Sequence, residues 1–168
     1  MNEEKELPKR KPTRWGEFDY NTHGAYFITL CTENRRKTLS KIVGTDNEPK
    51  IVELLPCGEI AEKYINQLNE FYDDRKVDRY VIMPNHIHIM LFIMEDGSSR
   101  TPNPTRQNSV VSQFVSTLKR FCNKEYGKNI WQKYFHDHII RNRQDYEEHI
   151  KYMHENPANW YYDELYDE

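Results

Sequence analysis

The feature that most constrains the fold is an apolar run, His86 to Met94, in which two histidines alternate with isoleucines. Its composition predicts a strand, and side chains on a strand point alternately to its two faces. One face therefore carries His86 and His88, and the other carries only apolar side chains: Ile87, Ile89, Leu91 and Ile93. Burying two imidazoles in such a strand is costly unless something binds them. Their Cα atoms would lie roughly 6 to 7 Å apart, close enough to share a metal ion.

A second pair of the same form, His136 and His138, flanks Asp137 later in the chain. A histidine in a strand is more often a hydrogen-bonded filler than a ligand, so the spacing alone does not assign a metal. We expect the second pair to have a structural or DNA-contacting role and the first pair to hold the metal.

The elements before the histidine strand predict the start of an antiparallel sheet. Residues 24–32 are rich in β-branched and aromatic side chains, which is typical of a strand. A helix is predicted next, from apolar residues at helical spacing: Ile60, Tyr64, Leu68 and Phe71. Residues 77–83 predict a second strand, which Pro84-Asn85 joins to the histidine strand in a tight antiparallel hairpin.

The elements after the histidine strand complete a ferredoxin-like order. Ser109 is placed to cap one helix, residues 131–140 predict a strand, and Asn142 is placed to cap a last helix that Pro157 ends. Strand, helix, strand, strand, helix, strand, helix is the split β-α-β arrangement with one helix added. We therefore expect an α+β fold with a ferredoxin-like antiparallel sheet. Two helices should cover its isoleucine face, and the C-terminal helix should cover its histidine face.

Positive charge is concentrated between residues 117 and 143, although the formal net charge of the chain is −3. That segment holds seven Lys or Arg and two Asp or Glu, and seven minus two gives +5. We expect four of these side chains to contact phosphates: Lys119, Arg120, Arg141 and Arg143. The alternative is an ordinary charged surface.

Three stretches resemble the single-tyrosine HUH transposases, and among them the REP-associated tyrosine transposases: Val81 to Met90, Tyr134 to Asn142 and Ile150 to Pro157. Residues 15–29 are similar to that family as well, so the resemblance runs over most of the chain. It implies a metal-dependent endonuclease and strand transferase that acts on single-stranded DNA with hairpin or palindromic elements. It also implies Mg²⁺ or Mn²⁺ as the cofactor and a homodimer as the assembly.

The resemblance also implies a site. In that family the histidine pair binds a divalent metal, a helix tyrosine attacks the scissile phosphate, and a polar residue one turn later completes the metal site. The matching positions here are His86, His88, Tyr152 and Asn156.

The apolar positions of the last helix bear on the choice of tyrosine, and they are Tyr146, Ile150 and Met153. Tyr152 lies beside that stripe, so it is favoured as nucleophile over Tyr146. His149 and His154 are expected on the solvent side. Asn156 is open to a second interpretation as a helix C-cap.

Composition, together with the extent of the resemblance, predicts the domain organisation. We expect residues 1–14 to be a flexible basic arm, 15–160 the catalytic domain and 161–168 an acidic tail. Residues 95–108, rich in Gly, Ser and Pro, are expected to form a mobile loop. No run approaches the roughly 20 apolar residues that cross a bilayer, so the protein is expected in the cytoplasm, without membrane contact.

Two other functions stay open on the sequence. A noncatalytic nucleic-acid-binding module of ferredoxin-like fold has the same element order, but it would expose aromatic side chains where this strand has histidines. A metal-dependent hydrolase that uses water would not need Tyr152. A covalent protein–DNA adduct distinguishes the transposase-like enzyme from both.

Overall fold

The computed structural model describes residues 24–45, 47–94 and 109–166. The strands, in chain order, are β1 (Gly24–Cys31), β2 (Ser40–Val43), β3 (Ile51–Leu54), β4 (Arg75–Ile82), β5 (His86–Ile93) and β6 (His136–Ile139). The helices are α1 (Pro56–Phe71), α2 (Val110–Tyr126) and α3 (Arg143–Glu155), with 3-10 turns at Glu33–Arg35 and Trp160–Tyr162. Within these ranges no helix is both long and apolar enough to cross a bilayer. The predicted arm 1–14 and loop 95–108 lie outside the described residues.

Four strands form one antiparallel sheet in the order β4-β5-β1-β6. The predicted hairpin is present, since β4 and β5 pair with Ile82 opposite Ile87. Strand β1 lies between β5 and β6, with Thr29 opposite both His88 and His136. This strand order, with α1 and α2 in the connections, confirms the predicted α+β fold with a ferredoxin-like sheet.

The two faces of β5 divide the core as predicted. The isoleucine face packs against α1 and α2 in one cluster that includes Ile87, Ile89, Leu91, Ile65 and Phe114, all fully buried. Each such side chain contributes about 1.5–3 kcal/mol through burial. On the opposite face, Met90 packs with Phe27 and with Met153 of α3. Helix α3 therefore covers the histidine face, which places its residues above His86 and His88.

Both predicted helix caps are present. The Ser109 hydroxyl accepts a hydrogen bond from the Ser112 N–H at 3.1 Å, and Asn142 Oδ1 accepts one from the Asp145 N–H at 2.9 Å. Such caps each contribute about 1 kcal/mol to helix stability. The second cap matters for the site, because it fixes where α3 begins.

Two parts of the sheet differ from the prediction. A small hairpin of β2 and β3 was not predicted, because two four-residue strands are too short to show a clear alternation, and half of their side chains are exposed. The strand predicted over 131–140 is shorter, and β6 spans only His136–Ile139. In the segment before β6, the Lys119 ammonium donates to two backbone carbonyl oxygens, at 2.7 and 3.4 Å.

Gly58 allows α1 to lie close to the chain that precedes β2. A Cβ atom at this position would come within 2.0 Å of the Leu39 carbonyl oxygen, and Leu39 is fully buried. In an unhindered helix, alanine would stabilise by about 1 kcal/mol relative to glycine. Here we expect Gly58→Ala to lower the free energy of unfolding by about 1–3 kcal/mol, because α1 must shift. Urea unfolding followed by circular dichroism measures the change.

The control is Gln67→Ala, at an exposed position of α1. It should change the free energy of unfolding by no more than about 0.5 kcal/mol. A Gly58→Ala protein as stable as the wild type would show that α1 does not need this close approach.

Candidate active site

His86 and His88 lie side by side on β5, with ring centroids 4.5 Å apart. Both are buried, and each is held through its Nδ1 atom. Asn85 Oδ1 lies 2.8 Å from His86 Nδ1, and Thr29 Oγ1 lies 2.9 Å from His88 Nδ1. Because an amide oxygen can only accept, His86 carries its proton on Nδ1 and has a free lone pair on Nε2.

Three buried polar atoms at this place have no hydrogen-bond partner among the described residues: His86 Nε2, His88 Nε2 and Asn156 Oδ1. A buried polar atom without a partner costs about 1–3 kcal/mol, so three together indicate a site for a bound group. Two imidazole nitrogens and an amide oxygen are ligands that divalent cations accept. The residues present therefore fit the metal that the resemblance implies.

The position of Asn156 is compatible with both interpretations that the sequence left open. It stands at the C-cap position of α3, immediately after the last helical residue. Its side chain is also turned inward, with 2% of its surface exposed. The end of the helix thus delivers a carboxamide oxygen to the histidines.

Asp163 belongs to this site, and the sequence analysis missed it. Its carboxylate lies within 4.8 Å of ligand nitrogens of both His86 and His88. It also accepts hydrogen bonds from Asn156 Nδ2 and, at 3.3 Å, from the Tyr152 hydroxyl. The group that can hold a cation therefore includes a negative charge.

Asp163 reaches the histidines because the chain turns back after α3. Trp160 is buried 6.0 Å from the His86 ring, and it begins the 3-10 turn that precedes Asp163. Asn85 Nδ2 then donates to the Leu165 carbonyl at 2.7 Å. No spacing in the sequence marks Asp163, and the available signal was a large apolar Trp160 after the predicted end of the helix.

Tyr152 lies on α3 beside the histidine pair. Its ring centroid is 5.3 Å from that of His88 and 6.2 Å from that of Phe27, while 42% of its surface stays exposed. Partial burial, together with the nearby Asp163 carboxylate, raises the pKa of Tyr152 to about 12. The hydroxyl is therefore protonated at neutral pH, accessible from solvent and hydrogen-bonded to a carboxylate.

Tyr146 lies away from the histidine pair. Its hydroxyl donates to Asp78 Oδ2 at 2.6 Å, and its ring centroid is 5.9 Å from that of Phe92. It packs on the sheet as the predicted apolar stripe requires. Of these two tyrosines, Tyr152 is the one whose hydroxyl contacts Asp163, beside the candidate metal ligands.

His138, one member of the second histidine pair, lies in a different environment. His138 Nε2 lies 3.0 Å from both carboxylate oxygens of Asp145. The His149 ring stacks on the His138 ring and lies 4.6 Å from the Phe27 ring. The prediction that His149 lies on the solvent side is wrong, because Asp145, one turn earlier on α3, draws it inward. His154 is exposed, as predicted.

The four predicted phosphate-contacting side chains are divided between α2 and the start of α3. Lys119 of α2 donates to backbone carbonyls before β6, whereas Arg120 and Arg141 lie on the surface. Arg143 pairs with Glu147 at 2.7 Å, at the exposed start of α3. Their role in phosphate binding stays a prediction.

Known proteins resemble this chain along most of its length, although no protein-family model matches it. It is 26% identical to an uncharacterised protein of Haemophilus influenzae, over 94% of this chain and 93% of that protein. It is 27% identical to a second protein of that organism, provisionally named a REP-associated tyrosine transposase. That similarity spans 88% of this chain and 77% of the relative.

The fold is similar to that of a solved REP-associated tyrosine transposase bound to a REP hairpin. The TM-score is 0.58 at 23% identity, over 82% of this chain and 68% of that chain. Together with the named relative, this likeness confirms the predicted resemblance to the REP-associated tyrosine transposases.

The buried imidazoles predict a pH-dependent stability of the metal-free protein. Burial, opposed by the Asp163 carboxylate, lowers the pKa of His86 to about 4, and burial lowers the pKa of His88 as well. In the unfolded chain a histidine has a pKa of about 6.5. Between these pH values the unfolded state binds more protons than the folded state. The free energy of unfolding is therefore highest above about pH 6.5 and decreases as the pH falls toward 4. His86 alone would account for a loss of ~3 kcal/mol.

Urea unfolding in the presence of a chelator, from about pH 7 down to about pH 5, measures the part of this loss that falls above about pH 5. His86→Ala should make the pH dependence shallower, whereas His154→Ala, at an exposed position, should leave it unchanged. The same pH dependence in His86→Ala and in the wild type would contradict the assignment of a buried, neutral His86.

Proposed function

We propose that this relative of the REP-associated tyrosine transposases is a metal-dependent endonuclease and strand transferase that acts on single-stranded DNA. The observation that carries the proposal is that three ligand atoms without a hydrogen-bond partner in the described part of the chain lie beside an accessible tyrosine hydroxyl. A relative with a transposase name and a structural neighbour solved on a REP hairpin support hairpin or palindromic DNA as the substrate.

His86, His88 and Asn156 would hold the ion. The two histidine ring centroids lie 4.5 Å apart, and Asn156 contacts the Asp163 carboxylate, which lies within 4.8 Å of ligand nitrogens of both histidines. A bound divalent cation would neutralise charge on the nonbridging oxygens of the phosphate and make its phosphorus more electrophilic. The resemblance supports Mg²⁺ or Mn²⁺, and imidazole ligands favour the softer Mn²⁺ of the two. Neutral imidazoles, which burial maintains, can ligate without first losing a proton.

Tyr152 would be the nucleophile. Its hydroxyl oxygen forms a bond to phosphorus as the bond from phosphorus to the 3′ oxygen breaks, which leaves a 5′-phosphotyrosine and a 3′-hydroxyl. The tyrosine proton passes to Asp163, which already accepts that hydrogen bond, while the leaving 3′ oxygen takes up a proton from solvent. Because the phosphotyrosine keeps the energy of a phosphodiester, a 3′-hydroxyl can reverse the attack and join strands without ATP.

The covering of the histidine face disfavours the noncatalytic binding module. Such a module stacks unpaired bases on an open sheet, whereas here Met153 of α3 is buried against Phe27 and Met90. The homodimer, the domain boundaries and the phosphate contacts of the basic side chains remain part of the proposal.

The central prediction of the proposal is a covalent adduct at Tyr152. Incubation with single-stranded hairpin DNA and Mn²⁺ should give a protein–DNA adduct that survives denaturation, and its modified peptide should contain Tyr152. Tyr152→Phe removes only the hydroxyl oxygen, so DNA binding should persist while the adduct falls below detection. Tyr146→Phe is the matched control on the same helix and should form the adduct normally.

Two outcomes would overturn the assignment. An adduct in Tyr152→Phe that is lost in Tyr146→Phe would show that the wrong nucleophile is named. Cleavage by the wild type without any adduct would favour a metal-dependent hydrolase.

The role of Asp163 can be tested separately. Asp163→Asn keeps the size of the side chain but cannot accept the proton, so the rate of adduct formation should fall about 10²-fold or more. Glu164→Gln removes the neighbouring exposed charge and should change the rate little. Equal rates in wild type, Asp163→Asn and Glu164→Gln would exclude Asp163 as the proton acceptor.

A further inference from the structure

A second group of metal-ligating side chains lies near the start of α3, next to the candidate active site but separate from it. Phe27 lies between the two, since its ring centroid is 4.9 Å from that of His88 and 4.6 Å from that of His149. We propose that His138, Asp145 and His149 form a second divalent-metal site, which takes a borderline transition ion such as Zn²⁺. This inference goes beyond the proposed function and does not depend on it.

The spacing of the ligand atoms supports an ion. His138 Nε2 lies 3.0 Å from the Asp145 carboxylate oxygens, His149 Nδ1 lies 3.1 Å from one of them, and all of these ligand atoms lie within 4.8 Å of one another. His149 Nδ1 also lies 2.8 Å from the Asp145 backbone carbonyl oxygen, so a bound ion would replace that hydrogen bond. Around a tetrahedral Zn²⁺ with bonds of about 2.0–2.1 Å, ligand atoms lie about 3.3 Å apart. Two imidazoles and one carboxylate are also a common ligand set for zinc with one open position.

The backbone holds two of the three ligands in place. Asp145 and His149 are four residues apart on α3 and therefore share one face of the helix. Asp145 is further fixed by the Arg141 N–H, which donates to its carboxylate at 2.9 Å. The third ligand comes from β6, where the His138 side chain is 40% exposed and leaves solvent access for a water ligand.

An ion at this place would tie the start of α3 to the edge strand β6. The planes of the His138 and His149 rings are 17° from parallel, and the rings are stacked. Binding of an ion would turn one of the rings so that both ligand nitrogens face the ion. Because α3 also carries Tyr152, the ion would brace the helix that presents the proposed nucleophile. The competing interpretation is a hydrogen-bonded cluster that holds no ion.

Zinc binding in a protein without the first site tests the proposal. Equilibrium dialysis of tag-free protein against Zn²⁺, followed by elemental analysis, should give two equivalents for the wild type and one for the His86→Ala/His88→Ala variant. Adding His149→Ala to that variant should remove the remaining equivalent. Adding His154→Ala instead removes an exposed imidazole from the same helix and should retain it.

His149→Ala also removes a ring that packs on Phe27, so a second variant is needed to separate metal binding from packing. His138→Ala alters a more exposed side chain and should abolish the same equivalent, with circular dichroism showing a folded protein. The proposal is overturned if the His86→Ala/His88→Ala protein binds no zinc, or if its equivalent survives both His149→Ala and His138→Ala. Adduct formation is not measured in this experiment, so failure here leaves the nuclease proposal standing.

Discussion

The alternation of side chains along β5 is the constraint on which the rest of the structure depends. Pairing with β1 sets Ile28 opposite Ile89 and Thr29 opposite His88, so the apolar and polar members of both strands fall on matching faces. A slip of one residue would turn the histidines toward α1 and α2 and the isoleucines toward α3. The hydrophobic core and the candidate site are therefore fixed by the same register.

Asn85 joins the two parts of the chain that build the site. Its carboxamide oxygen accepts a hydrogen bond from the His86 Nδ1–H group, and its amide nitrogen donates to the Leu165 carbonyl. The side chain that sets the tautomer of one ligand thus also holds the segment that carries Asp163. Such outer partners orient ligands and tune them, so the position of Asp163 and the chemistry of His86 are physically linked.

The parts that the sequence predicted well depend on local patterns. The two faces of β5, the hairpin at Pro84-Asn85 and the caps at Ser109 and Asn142 follow from alternation, turn chemistry and short side-chain contacts. Their outcome does not depend on distant residues. The sheet order pairs distant strands, but it could be expected because the order of the elements is that of the split β-α-β arrangement.

The parts that were missed depend on contacts between distant segments. Asp163 reaches the histidines through the burial of Trp160 and a hydrogen bond made by Asn85, neither of which leaves a spacing in the sequence. His149 was expected on the solvent side, but its partner Asp145 and the packing of Phe27 draw it inward.

The most direct test of the account is anomalous diffraction from crystals grown with Mn²⁺. A peak bounded by His86 Nε2, His88 Nε2 and Asn156 Oδ1 is expected, and manganese absent from that position in a crystal of the folded protein would contradict the account.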